Sequence, residues 1–403
     1  MDSGQNWVKL AGGAPTISFR DLVIQQREND LVAASFGRGF WILDDYSPLR
    51  SVTREQLQNE ATLFPVRGAD WYIPRVPMGD FEVGGKSSQG DSFFVAPNPP
   101  FGAVFTYYLS EDIRTAKEQR RESEKDLEKS GGDTPYPGWE ALRKEEIEES
   151  PAIVLTVRDE SGNVVRRIEG PVKAGFHRVA WDLRYPVSSP WTPEPAGDSY
   201  IDIPGPLAVP GTYQVSMAKR INGELQPLGT AQSFTVTPIG ERGQPGAPME
   251  DVVAFSRSLD DLNRQVAGAS AAIEAMLVET GAIKETLLRS DAPDTLRGQA
   301  RTLELELLAL KEKLSGNEAR DLYQDVGPVS ISSRVNFAVM GTFRSTYGPT
   351  PSHRDAIDIA QKEFAEVSQR IQQITDSGLP ELRAELNRAG VPWTPGRGVP
   401  GEG

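Results

Sequence analysis

The chain has 403 residues, 43 Lys and Arg against 57 Asp and Glu, and a formal net charge of −14. That length predicts two to three domains, and with Gly counted in and Tyr left out the apolar fraction is about 45%, which is globular rather than disordered. With no Cys and only His177 and His353, disulfides, thiolate metal sites and multi-histidine metal centres are excluded, and the acidic field disfavours nucleic acid and anionic lipid as partners. No cofactor or metal site is called for.

Residues 1 to 75 read as short antiparallel strands with tight turns. Ile17 to Ile24, Leu31 to Phe36 and Phe40 to Leu43 are the strands, and Arg27 to Asp30, Gly37-Arg38-Gly39 and Asp44-Asp45 are the connections. Thr62 to Val66 is a further candidate. Residues 76 to 100, rich in Gly, Pro, Ser and Asp, read as a linker.

Phe101 to Leu109 opens a second sheet unit over 101–240. Dense alternating charge over 111–149, broken by Gly131-Gly132-Asp133-Thr134-Pro135, predicts a solvated helical pair inserted into it. Ala152 to Val157 and Val164 to Ile168 flank a Gly162-Asn163 turn and form a hairpin. The strands Gly175 to Tyr185, Pro210 to Met217 and Gln232 to Thr237 follow, and this many short strands predicts a β-sandwich with Trp181 in its core.

From Met249 the apolar period becomes helical. Val252, Phe255, Leu259, Leu262, Val266, Ala269, Ile273 and Met276 alternate spacings of three and four, and so do Leu296 to Leu314 and Ile357 to Ile374. An antiparallel bundle over 249–390 follows, with a less regular helix over about 331–344 and a short one over 380–388. Gly281 and Gly316 are read as helix-ending caps, and 391–403 as a flexible tail. Self-association through these seams is possible, but an intramolecular bundle satisfies them without a partner.

Asp2-Ser3-Gly4-Gln5-Asn6-Trp7 fits the D-x-G-x-x-W core of the Asp-box, with Asp2, Gly4 and Trp7 at its defining positions. Together with Arg20 to Arg50, the segment resembles the final blade of bacterial BNR-repeat, sortilin-like propeller proteins that carry a glycosyl hydrolase label. Ala174 to Pro186 and Leu207 to Met217 are similar to the immunoglobulin-like, FlgD-like sandwich of that family, and Leu379 to Arg397 to its C-terminal ending. The resemblance implies a multidomain β plus α chain: one blade of an incomplete propeller, an immunoglobulin-like sandwich and a helical bundle. It also implies that the chain is the C-terminal part of a larger protein, of a family that is commonly exported; no signal peptide is legible at Met1.

In the Asp-box the Asp braces the turn and the Trp packs between blade sheets, so Asp2 and Trp7 are read as structural. Asp44-Asp45 looks like a carboxylate pair, but neighbours on a strand face opposite ways, so a strand-ending turn is preferred. Arg38 either projects toward a ligand from its Gly-flanked turn or bonds nearby carbonyls or Asp45, with the structural role preferred. Trp41, beside Arg38, and Trp191 are the other candidate binding residues; the loop tryptophan Trp191 either stacks on a sugar or peptide or covers a core edge. His177 reads as a neutral strand histidine and His353 as part of a helix cap. No catalytic residue is assigned.

The expected function is a non-catalytic interaction piece that supports binding of protein, peptide or glycan, with the missing N-terminal propeller or such a ligand as partner. The alternatives are a glycoside hydrolase whose active site lies in missing blades, and a complete small binding protein.

Overall fold

A computed structural model describes residues 7, 9, 13, 16–74, 90, 92, 94–187, 190, 204–240 and 246–399. It is a mixed β and α chain with several sheets followed by a helical C-terminal region. Contacts divide it into two compact units, 1–183 with 210–239, and 184–209 with 240–403.

The first unit begins with a three-stranded antiparallel sheet of β1 (Phe19–Gln25), β2 (Asp30–Ser35) and β3 (Phe40–Leu43), in that order. A short helix, α1 (Ser47–Ser51), leads away from it. Then come β4 (Ala61–Leu63), β5 (Ala69–Trp71), β6 (Ala103–Leu109), the helices α2 (Ala116–Lys129) and α3 (Trp139–Ile147), and the strands β7 (Ala152–Asp159), β8 (Val164–Gly170), β9 (Gly175–Trp181), β10 (Gly211–Ile221) and β11 (Glu224–Pro238). They build two further sheets, β5-β11-β10-β7-β8 and β4-β6-β9.

The two sheets meet over an aromatic core. Trp181 is fully buried and packs edge-on against Tyr213 at 5.1 Å and Phe234 at 6.2 Å, while Phe105 from the smaller sheet meets Phe234 at 5.6 Å. The core role expected of Trp181 is what the structure shows. The boundary drawn at 75 is corrected: β4 pairs with β6 through Thr62 and Tyr108, and β5 runs parallel to β11, so residues 61–71 belong to these two sheets and not to the N-terminal one. The reason is burial, because Leu63 and Phe64 lie in the aromatic core more than forty residues from their partners in sequence.

The predicted helical insertion is α2 and α3, and neither contributes a buried residue. Thr115 and Glu118 close a reciprocal cap at the start of α2, and Arg120 clamps Glu145 of α3 through two hydrogen bonds of 2.6 and 2.8 Å.

The second unit holds α4 (Met249–Leu287), α5 (Asp294–Ser315), α6 (Glu318–Leu322), α7 (Ile331–Thr342), α8 (Pro351–Gln373), a π-type turn over Ile374–Gly378, and α9 (Leu379–Arg388). The predicted seams are its core: Leu259, Leu262, Val266, Ile273 and Met276 pack with Leu307, Leu310 and Leu314 and with Ile357, Ala360, Phe364 and Val367. By length and composition alone α4 is apolar enough to cross a membrane, and it passes because this seam runs through it.

Gly316 ends α5 as expected, but at φ 91° and ψ −169°, an extended positive-φ conformation open to glycine rather than the left-handed helical cap. Gly281 does not end α4. The helix continues six residues further because Thr280, Ile283 and Leu287 extend the buried seam, which outweighs the roughly 1 kcal/mol that an interior glycine costs.

The tail is also corrected as far as residue 399. Arg397 is buried and donates to the carbonyls of Val391 and Pro392 at 3.1 and 2.7 Å and to Asn387 Oδ1, while the Trp393 indole donates to the Arg397 carbonyl at 2.8 Å. Desolvation pushes the Arg397 guanidinium below its ordinary pKa. Arg397 therefore ties the C-terminal residues back onto the end of α9.

Candidate functional site

The sheet β1-β2-β3 is the part of the molecule whose chemistry is left unanswered by its own fold. Antiparallel partners share a face, so the register assigns each side chain to a side. One face carries the rows Leu22–Ala33–Trp41 and Ile24–Leu31–Leu43. The other carries Val23–Val32–Ile42 and Asp21–Ala34–Phe40. Both faces are apolar, which is the pattern of strands covered on two sides.

Neither face is covered among the described residues. On the first, Leu22 is 60% exposed and Ile24 and Trp41 are exposed; on the second, Phe40 is 76% exposed and Val23 and Ile42 are exposed. Contiguous exposed apolar surface of this extent is uncommon on folded monomers.

Two arginines, Arg178 on β9 and Arg67 in the segment between β4 and β5, hold the turns at one end of this sheet. Arg178, on β9, donates to the carbonyls of Asp44 and Asp45, both at 2.5 Å. Arg67 donates to the carbonyl of Glu28 at 2.8 Å and pairs with its carboxylate at 2.5 Å. Burial works against the Glu28 charge, but Arg67 and Arg27 outweigh it and hold its carboxyl below the ordinary range. Asn29 and Asp45 occupy the left-handed region at φ 58° and 38°, a conformation these residue types tolerate.

Asp44-Asp45 therefore serves a turn. The Asp45 carboxylate accepts from the Ser47 hydroxyl at 2.6 Å and from the Ser47 amide, and the Asp45 amide donates to Asp30 Oδ1 at 2.9 Å. Burial, then the nearby Asp30 charge, pushes the Asp44 carboxyl above its ordinary range, and Arg178 offsets part of this.

Arg38 sits exposed between Gly37 and Gly39, both at positive φ, with no hydrogen bond or ion pair among the described residues, so the bracing to carbonyls or Asp45 that was preferred for it is absent. Trp41 is 38% exposed on the first face of the sheet. Trp7 is exposed and is not packed between sheets; Asp2, Gly4 and Trp191 lie outside the described residues.

His177 lies on β9 with its Nε2 against the Lys173 carbonyl at 2.5 Å and its ring 5.1 Å from Tyr107, whose hydroxyl donates to the Pro171 carbonyl. His353 completes a reciprocal cap: the Thr350 hydroxyl accepts from its amide and its Nδ1 accepts from the Thr350 amide. Both histidines have local backbone partners, and no group of three or more metal-ligating side chains is found among the described residues.

The second unit also holds a cleft of about 990 Å³ between α5, α7, α8 and the segment joining α5 to α7. Its lining mixes Glu312, Glu363 and Glu366 with Lys313 and Arg320, and Arg320 is already paired with Asp325 at 3.3 Å. No convergent catalytic set emerges there.

Sequence reasoning found the strands and named Arg38 and Trp41, but missed that the surface has two sides. The signal lay in the unbroken apolar runs Leu22-Val23-Ile24 and Phe40-Trp41-Ile42-Leu43, which lack the alternation of a half-buried strand. Compared with known proteins, the chain matches no family model, no curated protein and no solved structure.

Proposed function

We propose that this chain is a non-catalytic interaction and scaffolding piece of an Asp-box propeller protein, in which β1-β2-β3 is one blade, the two aromatic-cored sheets form an immunoglobulin-like sandwich, and the helices form a supporting bundle. The observation that carries this reading is the sheet with two exposed apolar faces. A propeller blade is one architecture that demands such a sheet, since each blade packs between neighbours.

The arginine pair Arg67 and Arg178 supports the reading, because it fixes the sheet at one end and leaves both faces accessible. The chemistry present is that of adhesion: apolar area, a few turn-bound carboxylates and no assembled acid, base or nucleophile among the described residues.

The test is reconstitution with a polypeptide that supplies Asp-box blades but lacks a closing one. A stable one-to-one complex is the expected result. Leu22→Asp and Val23→Asp, which lie on opposite faces, should each weaken it by about tenfold or more. A complex that ignores both substitutions, or none at all, overturns the proposal.

A further inference from the structure

The two edges of the N-terminal sheet differ, and the difference points to a partner. The β1 edge is blocked. Its ladder breaks in a bulge between Phe19 and Asp21, and the Asp21 carboxylate accepts the Leu22 amide at 2.9 Å, consuming a donor that does not serve β2. A bulge and a charged side chain on the strand are among the usual means by which proteins close an edge to further pairing.

The β3 edge has neither device. It pairs with β2 alone among the described residues, with Leu31 opposite Leu43, Val32 opposite Ile42, Ala33 opposite Trp41 and Ala34 opposite Phe40. Amides alternate across an antiparallel ladder. Starting from the outward amide of Leu22, the alternation places the free N–H and C=O groups of β3 on Phe40 and Ile42.

This edge is self-complementary in sequence. If β3 meets an antiparallel copy of itself with Trp41 opposite Trp41, then Phe40 faces Ile42 and Ile42 faces Phe40, which are the residues whose backbone groups are free to exchange hydrogen bonds. The same register brings Arg38 of one copy to the end of the strand where Asp44 of the other stands. Among the described residues Arg38 has no ion-pair partner, and the Asp44 carboxyl has no ion pair within contact distance, its nearest charges being Asp30 and, at longer range, Arg178. One edge thus carries an unpaired cation at one end and a carboxylate at the other, with four apolar residues between them.

We infer that the open edge of β3 pairs with the β3 edge of a second copy of this chain, joining two three-stranded sheets into one of six strands across a two-fold axis. Such an isologous contact needs the same patch on both molecules, and Arg38 opposite Asp44 satisfies that twice. The charge of −14 on each chain opposes the approach at long range, so the dimer is weak and concentration-dependent. The inference does not rest on the propeller reading: in a closed propeller a fourth strand would take the same edge, and docking and dimerisation then compete.

Sedimentation velocity of the full chain up to about 0.5 mM tests it. The native chain should pass reversibly from monomer to dimer. Arg38→Asp, which sets carboxylates against each other at both ends, should weaken the dimer by about tenfold or more, and combining it with Asp44→Lys should restore it. Ile42→Pro, which deletes an outward amide, should abolish it, and the charge-reversed pair keeps the test decisive if that variant disturbs the sheet. A chain that stays monomeric throughout, or a dimer indifferent to Arg38→Asp, overturns the inference.

Discussion

The strands β1 and β7 are alike in composition and opposite in fate. Leu22-Val23-Ile24 and Ile153-Val154-Leu155 are both unbroken apolar runs in antiparallel sheets, yet the first is exposed throughout and the second is buried throughout. The difference is the covering layer. β7 is buried from Ala152 to Val157 within the two-sheet unit, while β1 has no layer on either side among the described residues. A strand's sequence specifies that it wants two covered faces; whether they are covered depends on what else is present.

The largest expected effect separates the two regions by truncating one tryptophan in each. Trp181→Ala opens a cavity in the fully enclosed core and should destabilise the first unit by about 3 to 5 kcal/mol, lowering the denaturant midpoint or preventing folding. Trp41→Ala, at a tryptophan that keeps 38% of its surface exposed, should cost clearly less, about 1 to 2 kcal/mol, in the same unfolding experiment. Equal costs would break the comparison, because they would mean that the N-terminal sheet is as well packed as the core.

A smaller effect sharpens the same lesson in the helical unit, where two glycines that look alike in sequence differ in backbone. Gly281 lies inside α4 with open space around its missing side chain, so Gly281→Ala should raise stability by up to about 1 kcal/mol. Gly316 stands at φ 91°, so Gly316→Ala should lower it by about 1 kcal/mol. Thermal unfolding of the two variants checks the opposite signs.

Acid titration gives the smallest effect and again sets the regions apart. Asp112 accepts from the Ala174 amide and from Arg114 and Lys173, which brings its carboxyl down to about 2, so its contribution is present above its ordinary pKa of 3.8 and is lost as pH falls toward 2. Asp44 has the reverse sign. Its carboxyl is raised by burial and by Asp30, so the folded state binds its proton more readily than the unfolded chain, and protonation as pH falls through that raised value favours folding. Asp44→Asn should remove this gain and Asp112→Asn should remove the loss, as read from unfolding midpoints between pH 6 and about 2.

Much of this architecture was legible in the sequence because local patterns carry it. The seam from Leu259 to Met276 recurs every three or four residues, and the Gly162-Asn163 turn joins β7 to β8 as read. What escaped depended on distant partners. Thr62 and Leu63 look like blade residues until Tyr107 and Tyr108 are found beside them. The ordered end depends on Arg397 reaching back to Asn387 and Val391, and the cap at Thr350 uses a histidine where a glutamate or glutamine is usual. At the candidate site the residue types were visible in Arg38 and Trp41, but their exposure was not, because exposure is decided by whether another layer covers the sheet.

Amide hydrogen exchange of the isolated chain tests the central claim most directly. If β1-β2-β3 is an uncovered docking sheet, the amides of Val23, Val32 and Trp41 should exchange by local opening at least about a hundredfold faster than those of Leu155 and Val215 in the two-sheet core. Equal protection in the two regions would show that the sheet is complete as it stands, and would contradict the account.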